Sequence, residues 1–193
     1  MVLSKVEVIR PLGLTLDTQA TQDDIEGETN ENTYIPPDLM QHVPGVGRVA
    51  HLDAQVNIDN STTLTNLSGF AWTTGANENF GGIFSGRLGI NDDPDMKFTF
   101  TGPTGAGMRC QWFLYDTAGN LESAGTANTL GTGAAVTTSE GTTGAVHHLI
   151  IYISCNAEDT AGTFQFQWAQ NSSHANAISV FLRTWMTVHK VPE

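Results

Sequence analysis

The chain has 193 residues, with 20 Asp and Glu against 8 Lys and Arg and a formal net charge of −12. Such an acidic chain lacks the basic surface that holds a phosphate backbone, so we expect no binding to nucleic acid. Charged residues make up only 15% of the chain, against about 25% in typical proteins. Gly, Thr, Asn and Ser take their place, a mixture typical of short strands joined by many turns. The length suits one core rather than two full domains.

The first 45 residues differ from the rest of the chain. A short strand-like segment ends at Arg10-Pro11, and residues 17–33 then hold six acidic side chains and one large aliphatic, Ile25. Such a run buries too little apolar surface to fold alone, and Pro44-Gly45 marks a boundary. The sequence therefore predicts an extended N-terminal arm over residues 1–45 that binds a partner. Its apolar anchors would be Val2, Leu3, Val6, Val8, Ile9, Leu14, Leu16, Ile25, Tyr34 and Ile35.

Residues 46–193 have the pattern of one all-β domain. Apolar and polar residues alternate in short segments, the period of a strand with one buried face. Residues 91–95 (Asn-Asp-Asp-Pro-Asp) predict a hairpin between 83–90 and 96–101, and residues 117–120 predict a second hairpin. No long, capped amphipathic helix is apparent. Eight to ten short strands predict a jelly-roll-like β-sandwich after the arm.

The candidate core includes the segment His147–Cys155, which is strongly apolar and predicts a central strand covered on both faces. Cys110 and Cys155 lie in apolar runs, and we predict two free, buried thiols rather than a disulfide. They should share an inward phase with Trp112, Leu114, Leu149, Ile151 and Ile153.

No constellation of residues indicates catalysis or a metal. The six histidines lack the spacing of a zinc site, so we expect no metal and no cofactor. The acidic turn at 91–95 could hold calcium, but it lacks the spacing of an EF-hand loop, and a solvated turn is the better interpretation. Residues 82–86 depart from the nucleophile-elbow pattern. Residues 102–107 depart from the phosphate-loop pattern. Paired carboxylates of a glycosidase stay open as an alternative.

Exposed tryptophans could stack on sugar rings. Trp112 and Trp168 share the phase of apolar neighbours and are expected in the core. Trp72 lies beside a Gly-rich loop and is therefore the better candidate for exposure.

The end of the chain carries the most informative pattern. Phe164, Phe166 and Trp168 alternate with polar residues, as in a strand with one buried face. Residues 168–173 (Trp-Ala-Gln-Asn-Ser-Ser) resemble the WAQN-S ending of bacteriophage virion proteins, among them tail-fibre, head-fibre and capsid-decoration modules. The resemblance covers about the last fifth of the chain, and it implies a β-sandwich that assembles as a trimer.

The final strands carry more large apolar residues than one face of a single sandwich needs. Together with the resemblance, this excess predicts a threefold contact that includes Trp168, Ile178, Val180, Phe181 and Trp185.

The sequence thus predicts a non-enzymatic structural protein of the virion surface, made in the host cytoplasm. We expect a homotrimeric phage capsid decoration (cement) protein whose partner is the major capsid protein or another virion protein. The alternatives are a tail-fibre or head-fibre adhesin that binds a host glycan, and a virion-associated glycan hydrolase. Residues 1–7 carry charges where a signal peptide would be apolar, and no apolar run approaches the ~20 residues of a membrane span. We therefore expect no membrane partner.

Overall fold

The computed structural model describes residues 48–90, 94–137 and 145–191, and the predicted arm lies outside this part of the chain. The described residues form twelve strands and contain no helix. The strands are β1 (Arg48–His51), β2 (Val56–Ile58), β3 (Thr65–Thr74), β4 (Asn79–Gly89), β5 (Met96–Thr101), β6 (Gly107–Tyr115), β7 (Leu121–Ala127), β8 (Ala134–Val136), β9 (Val146–Asn156), β10 (Gly162–Gln170), β11 (Ile178–Val180) and β12 (Trp185–Val191).

Two antiparallel sheets pack face to face as a β-sandwich. The larger sheet follows the order β1-β12-β4-β9-β6-β7, and β11 joins β2 to the edge of β4. The smaller sheet follows the order β3-β10-β5-β8. The pairs β1·β12, β3·β10, β4·β9 and β5·β8 are nested, each joining strands closer in sequence than the last. This nesting is the topology of a jelly roll, and the β6–β7 hairpin widens its larger sheet.

The core lies between the two sheets and is rich in aromatic rings. Phe84 of the larger sheet stacks on Phe166 of the smaller one at a centroid distance of 4.7 Å. Trp72 stacks on Phe164 at 5.1 Å. Such offset contacts add to the free energy of burying the rings. The inward residues of both sheets therefore form one continuous core.

The structure confirms the prediction for the two cysteines. Cys110 and Cys155 are free and buried. The residues predicted to share their inward phase are all buried as well: Trp112, Leu114, Leu149, Ile151 and Ile153.

Three other expectations are wrong. Trp72 is buried, with 2% of its surface exposed, because it follows the inward phase of β3 rather than the neighbouring loop. Strand β9 is covered on one face only, and Tyr152 on its outer face is 49% exposed. The hairpin predicted around residues 91–95 does not form, since β4 and β5 belong to different sheets.

The hairpin predicted around residues 117–120 is confirmed, because β6 pairs with β7 across this turn.

Candidate functional site

The outer face of the larger sheet carries large apolar side chains in contact with solvent. Ile83 lies opposite Tyr152, and Phe113 lies opposite Ile150. The rings of Phe113 and Tyr152 meet edge to face at 6.2 Å. We call these four residues the apolar strip. Tyr152 is exposed and the other three are half-buried, which is the kind of surface that marks an interaction site.

The same face is free of acidic residues across its four central strands. The outward-facing positions of β12, β4, β9 and β6 include Arg87 and Arg109 but no Asp or Glu. This distribution differs from that of the whole chain, whose net charge is −12. The face is therefore neutral to basic on an acidic protein.

A groove with a volume of about 720 Å³ opens at one end of this face. The volume falls within the range of small-molecule sites, about 300–1,000 Å³. Its walls come from β4, the end of β6 with its turn, the start of β9, and the turn before β12. The lining residues are Ser85, Arg87, Tyr115, Asp116, Thr117, Gly119, Val146, His147, His148, Arg183 and Trp185.

Two arginines give the groove its charge. Arg87 lies on β4 with its guanidinium carbon 5.7 Å from the centre of the Phe181 ring, a cation–π contact that limits its motion. Arg183 lies in the turn between β11 and β12 with φ at 69°, in the left-handed region. The turn is held in place because the Arg183 N–H donates to the carbonyl of Leu52 at 3.2 Å. The Leu52 N–H in turn donates to the carbonyl of Thr184 at 2.8 Å.

Aromatic and hydroxyl groups line the groove between the arginines. Trp185, 38% exposed, lies opposite Ser85 across the β12–β4 pair. Ser85 Oγ and His148 Nε2 are 2.8 Å apart, and His148 lies opposite Tyr115. The groove thus offers rings and hydrogen-bonding side chains within reach of two cations.

Asp116 is the one carboxylate among the lining residues. Its two oxygens accept hydrogen bonds from the backbone N–H and the side-chain amide of Asn120, at 2.7 and 2.8 Å. The hydrogen bonds from Asn120 hold the pKa of the Asp116 carboxyl below its ordinary value. Asp116 is therefore ionised at neutral pH and engaged in the β6–β7 turn.

A buried carboxylate–imidazole pair underlies the groove. Glu122 Oε2 lies 2.7 Å from His147 Nδ1, and their side chains are 6% and 0% exposed. Glu122 occupies the extra position of a bulge between β6 and β7, which turns its side chain inward. The sequence does not predict this pair, because the two residues are 25 positions apart and no spacing pattern links them.

The groove does not have the arrangement of a nucleophilic enzyme in the described part of the chain. Activation of Ser85 by His148 would require a third group that orients the imidazole. No carboxylate of the described residues is hydrogen-bonded to His148. The described residues also contain no cluster of three or more metal-ligating side chains, and no helix among them could span a membrane.

The structure places the predicted contact residues in different environments. Trp168, Ile178 and Val180 are buried in the core of this chain, at 2%, 0% and 0% exposure. Side chains already covered by their own chain cannot contact a second copy, so the predicted trimer contact is corrected to exclude them. Phe181 is half-buried under Arg87, and Trp185 is exposed in the groove. The arm anchors, from Val2 to Ile35, lie outside the described residues.

Neither a known protein family nor a curated relative matches this chain. Among solved structures, it is similar to TmCBM61 in complex with β-1,4-galactotriose, at 13% identity and a TM-score of 0.30, over 77% of this chain and 90% of that one. It is also similar to the VP2 subviral particle of infectious bursal disease virus, at 12% identity and a TM-score of 0.21, over 77% and 41% of the two chains. The structure of the Gx strain of that virus is similar at 14% identity and a TM-score of 0.18, over 76% of this chain and 40% of that one. Such low similarity gives no information about function.

Proposed function

We propose that this protein is a non-enzymatic structural component of a virion surface, a homotrimeric phage capsid decoration protein. The observation that carries the proposal is the acid-free outer face with its apolar strip. Copies with a net charge of −12 repel one another, and contact is favoured where the carboxylates are absent. The strip supplies apolar area at the centre of that face, and its neighbours Gln111, Thr126 and Thr187 supply a neutral polar rim.

A second copy of this chain is the occupant we assign to the apolar strip. Most oligomers of soluble proteins are closed and symmetric assemblies of one chain. In a threefold ring each copy would present the strip to a different surface of its neighbour. The proposed contact then consists of the strip rather than the buried residues of β10 and β11, and it leaves Trp185 and Phe181 at the groove, outside the contact.

The N-terminal arm is the proposed attachment to the particle. It precedes β1, the edge strand of the larger sheet, and 45 extended residues reach as far as about 150 Å. The partner would be the major capsid protein or another virion protein. Three arms on one trimer raise the effective affinity well above that of a single arm.

Adding the protein back to capsids that lack it tests this role. The intact chain should bind at a fixed ratio and raise the temperature at which the capsids open. A chain without residues 1–40 should stay folded, by its circular dichroism, and not bind. No binding of the intact chain, or turnover of a polysaccharide by it, would contradict the proposal. Binding of the shortened chain would move the attachment from the arm to the sandwich.

A further inference from the structure

We propose that the groove binds a saccharide that carries a carboxylate, such as an oligosaccharide containing uronic or sialic acid. This ligand site goes beyond the structural role proposed above and does not depend on it. The argument uses the rings of the groove, its charge and the backbone at Arg183.

The rings are placed to hold a chain of sugars. Trp185 on β12 and Tyr115 on β6 lie three strands apart, which separates their backbones by about 14 Å across the sheet. The carbon-bound hydrogens of a pyranose ring pack on an exposed aromatic face such as that of Trp185. Ser85 and His148, between the two rings, provide hydrogen-bonding groups for hydroxyls. A site with rings at this separation suits an oligosaccharide better than a single sugar.

The charge of the groove selects for an acid. Arg87 and Arg183 both line it, and neither forms an ion pair with another residue of the described ranges. Asp116 offsets one of the two positive charges, but its oxygens are engaged by Asn120. A guanidinium can donate two parallel hydrogen bonds to one carboxylate. Two guanidiniums suit a single carboxylate and supply too little positive charge for the phosphate backbone of a nucleic acid.

The backbone at Arg183 supports the same conclusion. A φ of 69° is unfavourable for arginine and is adopted readily by Gly or Asn. Residues held in such conformations cluster at ligand sites. At this position the hydrogen bonds between the turn and Leu52 fix the backbone, and the side chain lines the groove. The turn by itself would favour Gly or Asn at position 183, so the guanidinium in the groove is what explains an arginine there.

The test is a glycan array with acidic oligosaccharides beside their neutral counterparts, followed by calorimetric titration of the best acidic and neutral pair. The intact chain should bind the acidic member at least ten times more tightly. Arg183→Gly removes the guanidinium and suits the backbone, so it should weaken acidic binding at least tenfold without lowering the melting temperature. Trp185→Ala should weaken it similarly.

Arg109→Ala is the matched control, since Arg109 lies exposed on the same face but outside the groove. Its affinity for the acidic ligand should equal that of the intact chain. The proposal is overturned by equal binding of acidic and neutral sugars, by no binding of any acidic sugar, or by an equal loss in the Arg109 variant. Tighter binding of an acidic peptide than of any sugar would overturn it as well. A chain that is monomeric and still binds the acidic sugar would count against the trimer alone.

Discussion

Neighbouring residues of β9 serve different purposes because they lie on opposite faces of the larger sheet. Ile151 is fully buried, and Tyr152 is 49% exposed in the apolar strip. Alternation along the sequence could predict the buried set, including both cysteines, because one face of each strand must be apolar. It could not predict whether the second face was covered, since Ile150 and Tyr152 would suit a core equally well.

Replacing Ile151 with Ala should lower the free energy of unfolding by about 2–5 kcal/mol, because it opens a cavity in a packed core. Denaturant unfolding followed by fluorescence measures this change. Ser154→Ala, on the exposed face of the same strand, is the control and should change stability by less than about 0.5 kcal/mol. A loss near zero for Ile151→Ala would show that β9 is not central to the core.

The thiols predict a pH dependence of stability. Burial raises the pKa of Cys110 and of Cys155 from 9.0 to about 12, and for Cys155 the charge of Cys110 adds to the effect. The unfolded chain then loses these protons at lower pH than the folded chain, so the stabilisation is complete below pH 9 and is lost between pH 9 and about 12.

Unfolding measured from pH 8 to 11 should show a steeper loss of stability for the intact chain than for a Cys110→Ala, Cys155→Ala double variant. The difference isolates the thiols from Tyr and Lys, which titrate in the same range. Identical slopes for the two proteins would mean that the thiols ionise equally in both states.

At the level of strands, turn chemistry predicted one hairpin and failed for another. Residues 117–120 reverse the chain within one sheet, whereas the chain after β4 crosses to the other sheet before β5 begins. Asx and Pro residues indicate that the chain turns, but they do not state which strand it will pair with. The pairing is decided by the packing of the whole sandwich, which no local signal contains.

Two adjacent glycines of β4 test how closely the strands pack. A Cβ on Gly82 would clash with the backbone carbonyl oxygen of Thr187 on β12, a contact that only movement of a strand relieves. Gly82→Ala should therefore destabilise the fold by about 1–3 kcal/mol, as measured by thermal unfolding. Gly81→Ala is the control, because its Cβ would first meet the movable side chain of His189 at 3.3 Å. An equal effect of the two substitutions would contradict the close approach of β4 and β12.

At the level of the whole molecule, the class of fold could be predicted and the sites could not. The number of predicted strands and the absence of helix patterns were sufficient to predict a β-sandwich. The groove combines residues 85–87, 115–119, 146–148 and 183–185, and only the pairing of β12, β4, β9 and β6 brings them together. The acid-free face is likewise invisible in the sequence, since its residues alternate with core residues on four separate strands.

The most direct test of the proposed assembly is the mass of the oligomer that the intact chain forms in solution, measured by sedimentation at micromolar concentration. We expect a trimer. Tyr152→Lys places a charge in the apolar strip and should give a folded monomer. Thr163→Lys, exposed on the smaller sheet, should leave the trimer intact. A monomer for the unmodified chain, or a trimer that survives Tyr152→Lys, would contradict the assignment of the outer face as the contact between copies.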